Sequence, residues 1–313
     1  MANTELIKKL REDTGCGMMD CNKALKESAD DYQKAIEWLR KKGLSSAAKK
    51  STRVTAEGVV GIKNEGSVAS IIEINSETDF VARNEKFQNF VNGCLMAGLT
   101  IKEENSEEFI SKLKNFVCPK CNEKIEDLLV QNIATIGENL KIRRGKNISN
   151  DKGLIVSYVH SQVADGLGKI GVLVSLESEA SKDKLSELGK GLAMHVAASK
   201  PEFLNESDVP AERLSKEKDI ARELAKKSGK PENIIEKMVE GRIRKFYEET
   251  VFLNQLYILD NSKKISDILK DFEKETGKSV KINDYVLYVL GEGIEKQTVD
   301  FATEVASIAG GNN

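Results

Sequence analysis

The chain has 313 residues, and its 48 lysines and arginines nearly balance 50 aspartates and glutamates, a net charge of −2. That balance offers no basic excess for a nucleic-acid groove or an anionic membrane surface, and no apolar run approaches the ~20 residues a membrane span requires. The length suits two or three modules with their own cores, and five cysteines without framework spacing fit a reducing compartment.

Met1-Ala2-Asn3-Thr4-Glu5 carries neither an apolar signal stretch nor an Arg/Ser-rich leader, so cytoplasm is the expected location. Residues 1–45 predict a three-helix unit. Leu6, Ile7 and Leu10 share a face of the first helix, which Thr14-Gly15-Cys16-Gly17 breaks because glycine permits a tight turn. Met18, Cys21 and Leu25 line one side of the second helix. The third, opened by Asp30-Asp31, buries Tyr32, Ala35, Ile36 and Leu39. It is expected to end at Arg40-Lys41-Lys42-Gly43, since basic residues followed by glycine are a C-terminal signal. Residues 46–57, rich in Ala, Lys and Ser, read as a linker.

The main body repeats itself. Aligning Gly66-Ser67-Val68 with Gly168-Lys169-Ile170 also pairs Ile71 with Leu173, Ile72 with Val174, Ile74 with Leu176 and Glu77 with Glu179. A strand-like run precedes each copy, Gly58 to Lys63 and Gly153 to His160, with turns at Asn64-Glu65-Gly66 and Ala164-Asp165-Gly166. An amphipathic helix follows each, with Phe87, Phe90, Val91, Cys94 and Leu95 in one and Leu185, Leu188, Leu192 and Val196 in the other. The expected fold is therefore α+β, with two duplicated subdomains at 58–145 and 146–290. Inside the second, residues 210–250 predict an antiparallel helical coiled-coil hairpin. Its stripes are Leu214, Glu217, Ala221 and Leu224, then Ile235, Met238, Val239, Ile243 and Phe246, joined at Gly229-Lys230-Pro231. Tyr285 to Leu290 reads as a strand, and 291–313 as a C-terminal module whose helix docks through Phe301 and Val305.

One stretch stands apart: Glu73-Ile74-Asn75-Ser76-Glu77-Thr78-Asp79-Phe80-Val81-Ala82-Arg83-Asn84. An apolar strand runs out into a loop that sets a carboxylate beside an aromatic ring. Such a ring either staples the following helix or enters another protein. The second copy of the repeat has Ala180-Ser181-Lys182 at this place, so the scaffold alone does not demand the aromatic.

The stretch from Glu73 to Ala82 resembles the signature of the elongation factor Ts family. Leu10-Arg11, Thr14-Gly15-Cys16-Gly17-Met18-Met19-Asp20 and Lys23-Ala24-Leu25 match a second motif of that family. Gly291-Glu292-Gly293-Ile294-Glu295-Lys296 and the following Asp300-Phe301-Ala302 match a third, so the similarity spans residues 4–309. The resemblance implies a UBA-like N-terminal domain and a guanine-nucleotide exchange factor that binds elongation factor Tu. It implies no catalytic residues, no cofactor, no metal, no direct nucleic-acid contact and no membrane. By the same resemblance, Thr78, Asp79, Phe80 and Val81 enter the GTPase domain, Arg11, Met18 and Met19 make an N-terminal contact, and His160 lies near the partner. A homodimer of the factor within a 2:2 complex is one assembly it allows.

The remaining motifs carry less. His195 shares a face with Leu188 and Leu192 and is expected to be buried without chemistry. Cys118-Pro119-Lys120-Cys121 supplies two thiolates where a structural zinc needs four, so two inert cysteines are expected. A redox or zinc protein with a helical binding module, and an RNA-associated adaptor, stand as readings from other classes. A thiol-oxidation or zinc assay, and salt-dependent RNA binding, would separate them.

Overall fold

The computed structural model describes residues 4–295 except 104 and 228; the segment with Phe301 and Val305 lies outside the described residues. Three helices open the chain: α1 (Thr4–Thr14), α2 (Met18–Glu27) and α3 (Tyr32–Lys50). They bury Leu10, Cys21, Ala24, Leu25, Ala35 and Leu39. Gly15 sits at φ +67°, and Asp31 caps α3 by accepting the Lys34 amide hydrogen at 3.1 Å.

Two expectations fail in this unit. The third helix does not end at Gly43 but runs on to Lys50, taking in the first part of the expected linker. Gly43 serves packing instead, because α3 crosses α6 (Ile125–Ile136) there, and an added Cβ would lie 3.4 Å from that of Ala134. Arg40 Nη2 meets Asp127 Oδ1 at 2.8 Å across the same junction. Met18 is also absent from the core, being 53% exposed.

The duplicated plan appears as two antiparallel sheets. The first has β1 (Glu57–Asn64), β2 (Val68–Ser76), β3 (Leu140–Ser149) and β5 (Leu167–Gly168), in the order β3-β2-β1-β5. The second has β4 (Gly153–His160), β6 (Ile170–Glu177) and β9 (Lys281–Val289), in the order β4-β6-β9. The likeness extends to irregularities. The β2–β3 register shifts between Glu73 and Ile74, and the β6–β9 register between Ser175 and Leu176, at positions the repeat aligns. Gly58 and Gly153 each face the opposing strand so closely that an added Cβ would lie 2.2 Å from the Ile74 carbonyl oxygen or 1.9 Å from that of Leu176. β3 crosses the expected boundary at residue 145, so the first sheet takes its last strand from both sides of it.

Period-2 alternation then sorts the strand residues into layers. Val59, Ile72 and Ile74 face α4 (Glu85–Gly98), α5 (Ser106–Asn115) and α6, with Phe87, Phe109 and Ile125 filling the space. Val172, Val174 and Leu176 face α7 (Lys182–Ser199) and α10 (Ile265–Thr276). The opposite faces meet each other: Val60, Ile62, Ile71 and Ile148 pack on Ile155, Leu173, Val286 and Tyr288. The result is helix, sheet, sheet, helix, which explains why β2 is buried along nearly its whole length.

The helical hairpin comprises α8 (Ala211–Lys226) and α9 (Glu232–Thr250). Its seam is Ala221 and Ala225 against Ile235 and Val239. Leu224, expected in the stripe, points to solvent at 56% exposure, and Ala225 takes its place. A small hairpin, β7 (Leu256–Tyr257) and β8 (Asp260–Lys264), precedes α10.

Candidate functional site

β2 leaves the sheet at Ser76, and the following residues turn because remote groups hold them. Ser76 Oγ donates to the Thr78 carbonyl at 2.8 Å. Glu138 clasps Thr78, accepting its amide hydrogen on Oε2 at 2.9 Å and its hydroxyl on Oε1 at 2.6 Å. Glu138 is placed by Gly137, whose φ of +90° ends α6. Glu77 accepts the Asn139 amide hydrogen at 2.6 Å and pairs with Arg53 at 3.3 Å, while Asn139 Nδ2 donates to the Arg53 carbonyl at 3.0 Å.

Beyond Thr78 the chain makes a tight 3₁₀ turn, Asp79–Arg83. Val81 and Ala82 sink into the first core, Gln88 Nε2 holds the Ala82 carbonyl at 2.9 Å, and Asn84 caps α4 by accepting the Lys86 and Phe87 amide hydrogens. Between these anchors Phe80 is 80% exposed, with Thr78 and Asp79 exposed beside it. The ring does not staple α4. Val81 differs from expectation: it is buried, so its side chain fixes the loop and offers no surface to a partner. Holding an aromatic ring in water between two anchors removes ordering cost before any partner arrives.

Glu73, which opens the signature stretch, is fully buried inside β2. Arg143 Nη1 reaches Oε1 at 2.9 Å and Arg144 Nε reaches Oε2 at 2.6 Å. Asn75 Nδ2 and the Gly291 amide also donate to Oε1, at 3.0 and 2.9 Å. Burial pushes this carboxyl's pKa up, but the Gly291 amide, Asn75 and the two arginines outweigh it, and the group titrates below the usual range. Arg144 also stacks on Tyr288 at 4.4 Å and donates to the Val289 carbonyl at 2.9 Å. One buried charge thus joins β2, β3 and the end of β9.

The other expected residues are dispersed. Arg11 and Met19 are exposed on the three-helix unit, Met19 at 83%. His160 ends β4, its Nδ1 3.0 Å from the Tyr158 hydroxyl. His195 is buried as expected. The Ile258 amide donates to its Nδ1 at 3.2 Å, which leaves Nε2 to donate to Gln255 Oε1 at 2.9 Å. Sequence reading missed Glu138, Arg53 and Asn139, all far along the chain from the loop they hold. The one signal available was Gly137, a helix-ending glycine that places the residues after it. The site is a projection, and among the described residues no three His, Cys, Asp or Glu side chains gather as a metal set.

Comparison with known proteins agrees with the signature. A family model described as Elongation factor TS matches residues 77–292. The Elongation factor Ts of Rhodospirillum centenum is 49% identical over 305 residues, covering 97% of this chain and 98% of that protein. That of Paramagnetospirillum magneticum is 49% identical over 97% of this chain and 96% of its own length. That of Zymomonas mobilis is 47% identical, with 97% of each chain covered.

Proposed function

The chain belongs to the elongation factor Ts family, and from that premise we propose that it opens the nucleotide site of elongation factor Tu by inserting Phe80. Membership carries the coarse function, nucleotide exchange in translation elongation. The single observation that supports the finer reading is the exposed Phe80 ring, fixed between the Thr78–Glu138 clasp and the buried Val81.

A GTPase holds GDP through backbone amides and a lysine around the phosphates, with magnesium bridging their oxygens. An exchange factor need not touch the nucleotide. It must bind more tightly to the conformation in which the magnesium and phosphate sites are displaced. Phe80 acts as the wedge between two helices of the partner, and Asp79 satisfies polar groups that the opening exposes. Arg11, Met18 and Met19 on the three-helix unit supply anchoring contact, His160 adds to it, and Phe301 and Val305 dock from the C-terminal segment. A homodimer within a 2:2 complex is the assembly that light scattering of the mixture would read.

The coupling is reciprocal: whatever factor this chain takes from GDP affinity, GDP takes from this chain's affinity. A coupling of ~3 kcal/mol corresponds to about 150-fold. Release of labelled GDP from purified elongation factor Tu, with and without the chain, tests the function. Acceleration supports it, and an unchanged rate at saturating chain overturns it.

A further inference from the structure

The likeness between the two sheets breaks at one position. β2 and β6 each face a bulge on their neighbour. Glu73 pairs with Arg144 and Ile74 with Ile142, so Arg143 is the extra residue; Ser175 pairs with Asp284 and Leu176 with Ile282, so Asn283 is the extra one. A bulge sets two residues of one strand against one of its partner. Two adjacent arginines, which a regular strand would send to opposite faces, therefore both reach Glu73. The second copy keeps the bulge without the charges. There Ser175 Oγ accepts from Asn150 Nδ2 at 2.9 Å, and Asn283 Nδ2 donates to Glu177 Oε2 at 3.0 Å. The duplicated scaffold alone does not demand the charge cluster.

What the cluster holds is the turn after β9. The Gly291 amide donates to Glu73 Oε1 at 2.9 Å, Arg143 Nη2 donates to the Glu292 carbonyl, and Arg144 Nη2 donates to the Val289 carbonyl at 2.9 Å. The turn also closes on itself, the Ile294 amide donating to the Gly291 carbonyl at 3.0 Å. Gly291 and Gly293 lie at φ +71° and +73°. The strand that carries Glu73 leads at its other end into the Phe80 loop.

We infer that Glu73, Arg143 and Arg144 are positioning residues for exchange, fixing the direction in which the C-terminal segment starts relative to the Phe80 loop. On the reading above, Phe80 and the C-terminal Phe301 and Val305 engage the same partner, and the role of the cluster rests on that reading. Two contacts on one rigid support bind as a linked pair, the second at an effective concentration that the support's geometry sets. Loosening the turn lowers that concentration and weakens the grip without blunting the wedge.

Two variants of the full chain loosen the turn. Arg143→Lys keeps a positive charge beside Glu73, but a single ammonium lacks the guanidinium fork that spans Glu73 and the Glu292 carbonyl. Gly293→Ala opposes the turn through its positive φ, since the nearest neighbour of an added Cβ is Arg143 Nη2 at 3.9 Å. Gly293 lies in no helix or strand, so this variant serves if Arg143→Lys does not fold. Release of labelled GDP from purified elongation factor Tu is measured against the concentration of each variant, with circular dichroism as the check on folding. Each is expected to raise the half-saturating concentration about fivefold and to leave the rate at saturation within about twofold of the parent. In a chain that already carries Phe301→Ala, Gly293→Ala is expected to add little, because the contact it positions is already lost. A half-saturating concentration equal to the parent's in both folded variants overturns the positioning role. So does an equal further rise in the Phe301→Ala background, or a fall in the rate at saturation alone. Phe301→Ala indistinguishable from the parent overturns C-terminal docking instead, and a parent chain that never accelerates release overturns the exchange reading itself.

Discussion

The Gly291 amide donates to Glu73 Oε1 at 2.9 Å, so the first residue of the signature stretch holds the turn that follows the last strand. Gly291 lies at φ +71°, and a Cβ there would fall 2.5 Å from the Ala56 carbonyl oxygen. Glycine is therefore needed both for the turn and for the approach to β1. Replacing Glu73 by Gln removes the counter-charge of Arg143 and leaves Arg144 only the exposed Glu292 at 3.2 Å, while the side chain keeps its shape. Loss of one partner of a buried pair costs about 3–5 kcal/mol. We expect Glu73→Gln to lose that much in urea unfolding; a change below about 1 kcal/mol would contradict the hub.

The same carboxyl predicts an acid limb. Its folded pKa lies below the ordinary value of 4.5, so the unfolded chain binds the proton more readily between the two. The stabilisation is complete above pH 4.5 and is lost as pH falls through the folded pKa. Unfolding free energy measured from pH 6 downward should fall less steeply in Glu73→Gln than in the parent chain.

His195 predicts a second, milder limb. Burial lowers its pKa below the ordinary 6.5, and the bond to Gln255 only partly restores it. The unfolded state therefore binds the proton first, so stability is full above about pH 6.5 and declines below it, by at most ~1.4 kcal/mol per pH unit. His195→Gln should flatten the slope between pH 7 and pH 5 in urea unfolding. An unchanged slope would show that other groups carry it.

Glu138→Gln tests the loop clasp without touching the ring. It weakens two hydrogen bonds to Thr78 by removing their charge. If about 1 kcal/mol of preorganisation is lost, exchange slows about fivefold while thermal stability changes little. Exchange at the parent rate would mean the loop is ordered by the partner rather than by this chain.

Much of the scaffold was legible because apolar periodicity and turn glycines agreed. β1, β2, β4, β6, α4 and α7 follow from residues such as Ile71, Ile72, Leu185 and Leu192, all buried as expected. β3 was not legible. Its Arg143, Arg144 and Lys146 interrupt any apolar alternation, because they serve as ion-pair partners of Glu73 and Asp284. α6 and α10 could have been found, since Ile125, Leu129 and Ile133, and Ile265, Leu269 and Phe272, recur at helical spacing. Residues 117–124 hid a turn closed by a single bridge between Val117 and Lys124. At the site, the Asp79-Phe80 pair was visible as a motif. Its support was not, because Glu138 meets Thr78 only through the fold of α6.

Release of labelled GDP from elongation factor Tu, comparing the parent chain with Phe80→Ala, tests the wedge most directly. Burying a phenylalanine ring is worth about 1.5–3 kcal/mol, so the acceleration should drop about 10- to 150-fold. Circular dichroism and unfolding should stay unchanged, because the ring is 80% exposed and lies outside the first core. A release rate equal to that of the parent, from a folded variant, would contradict the account.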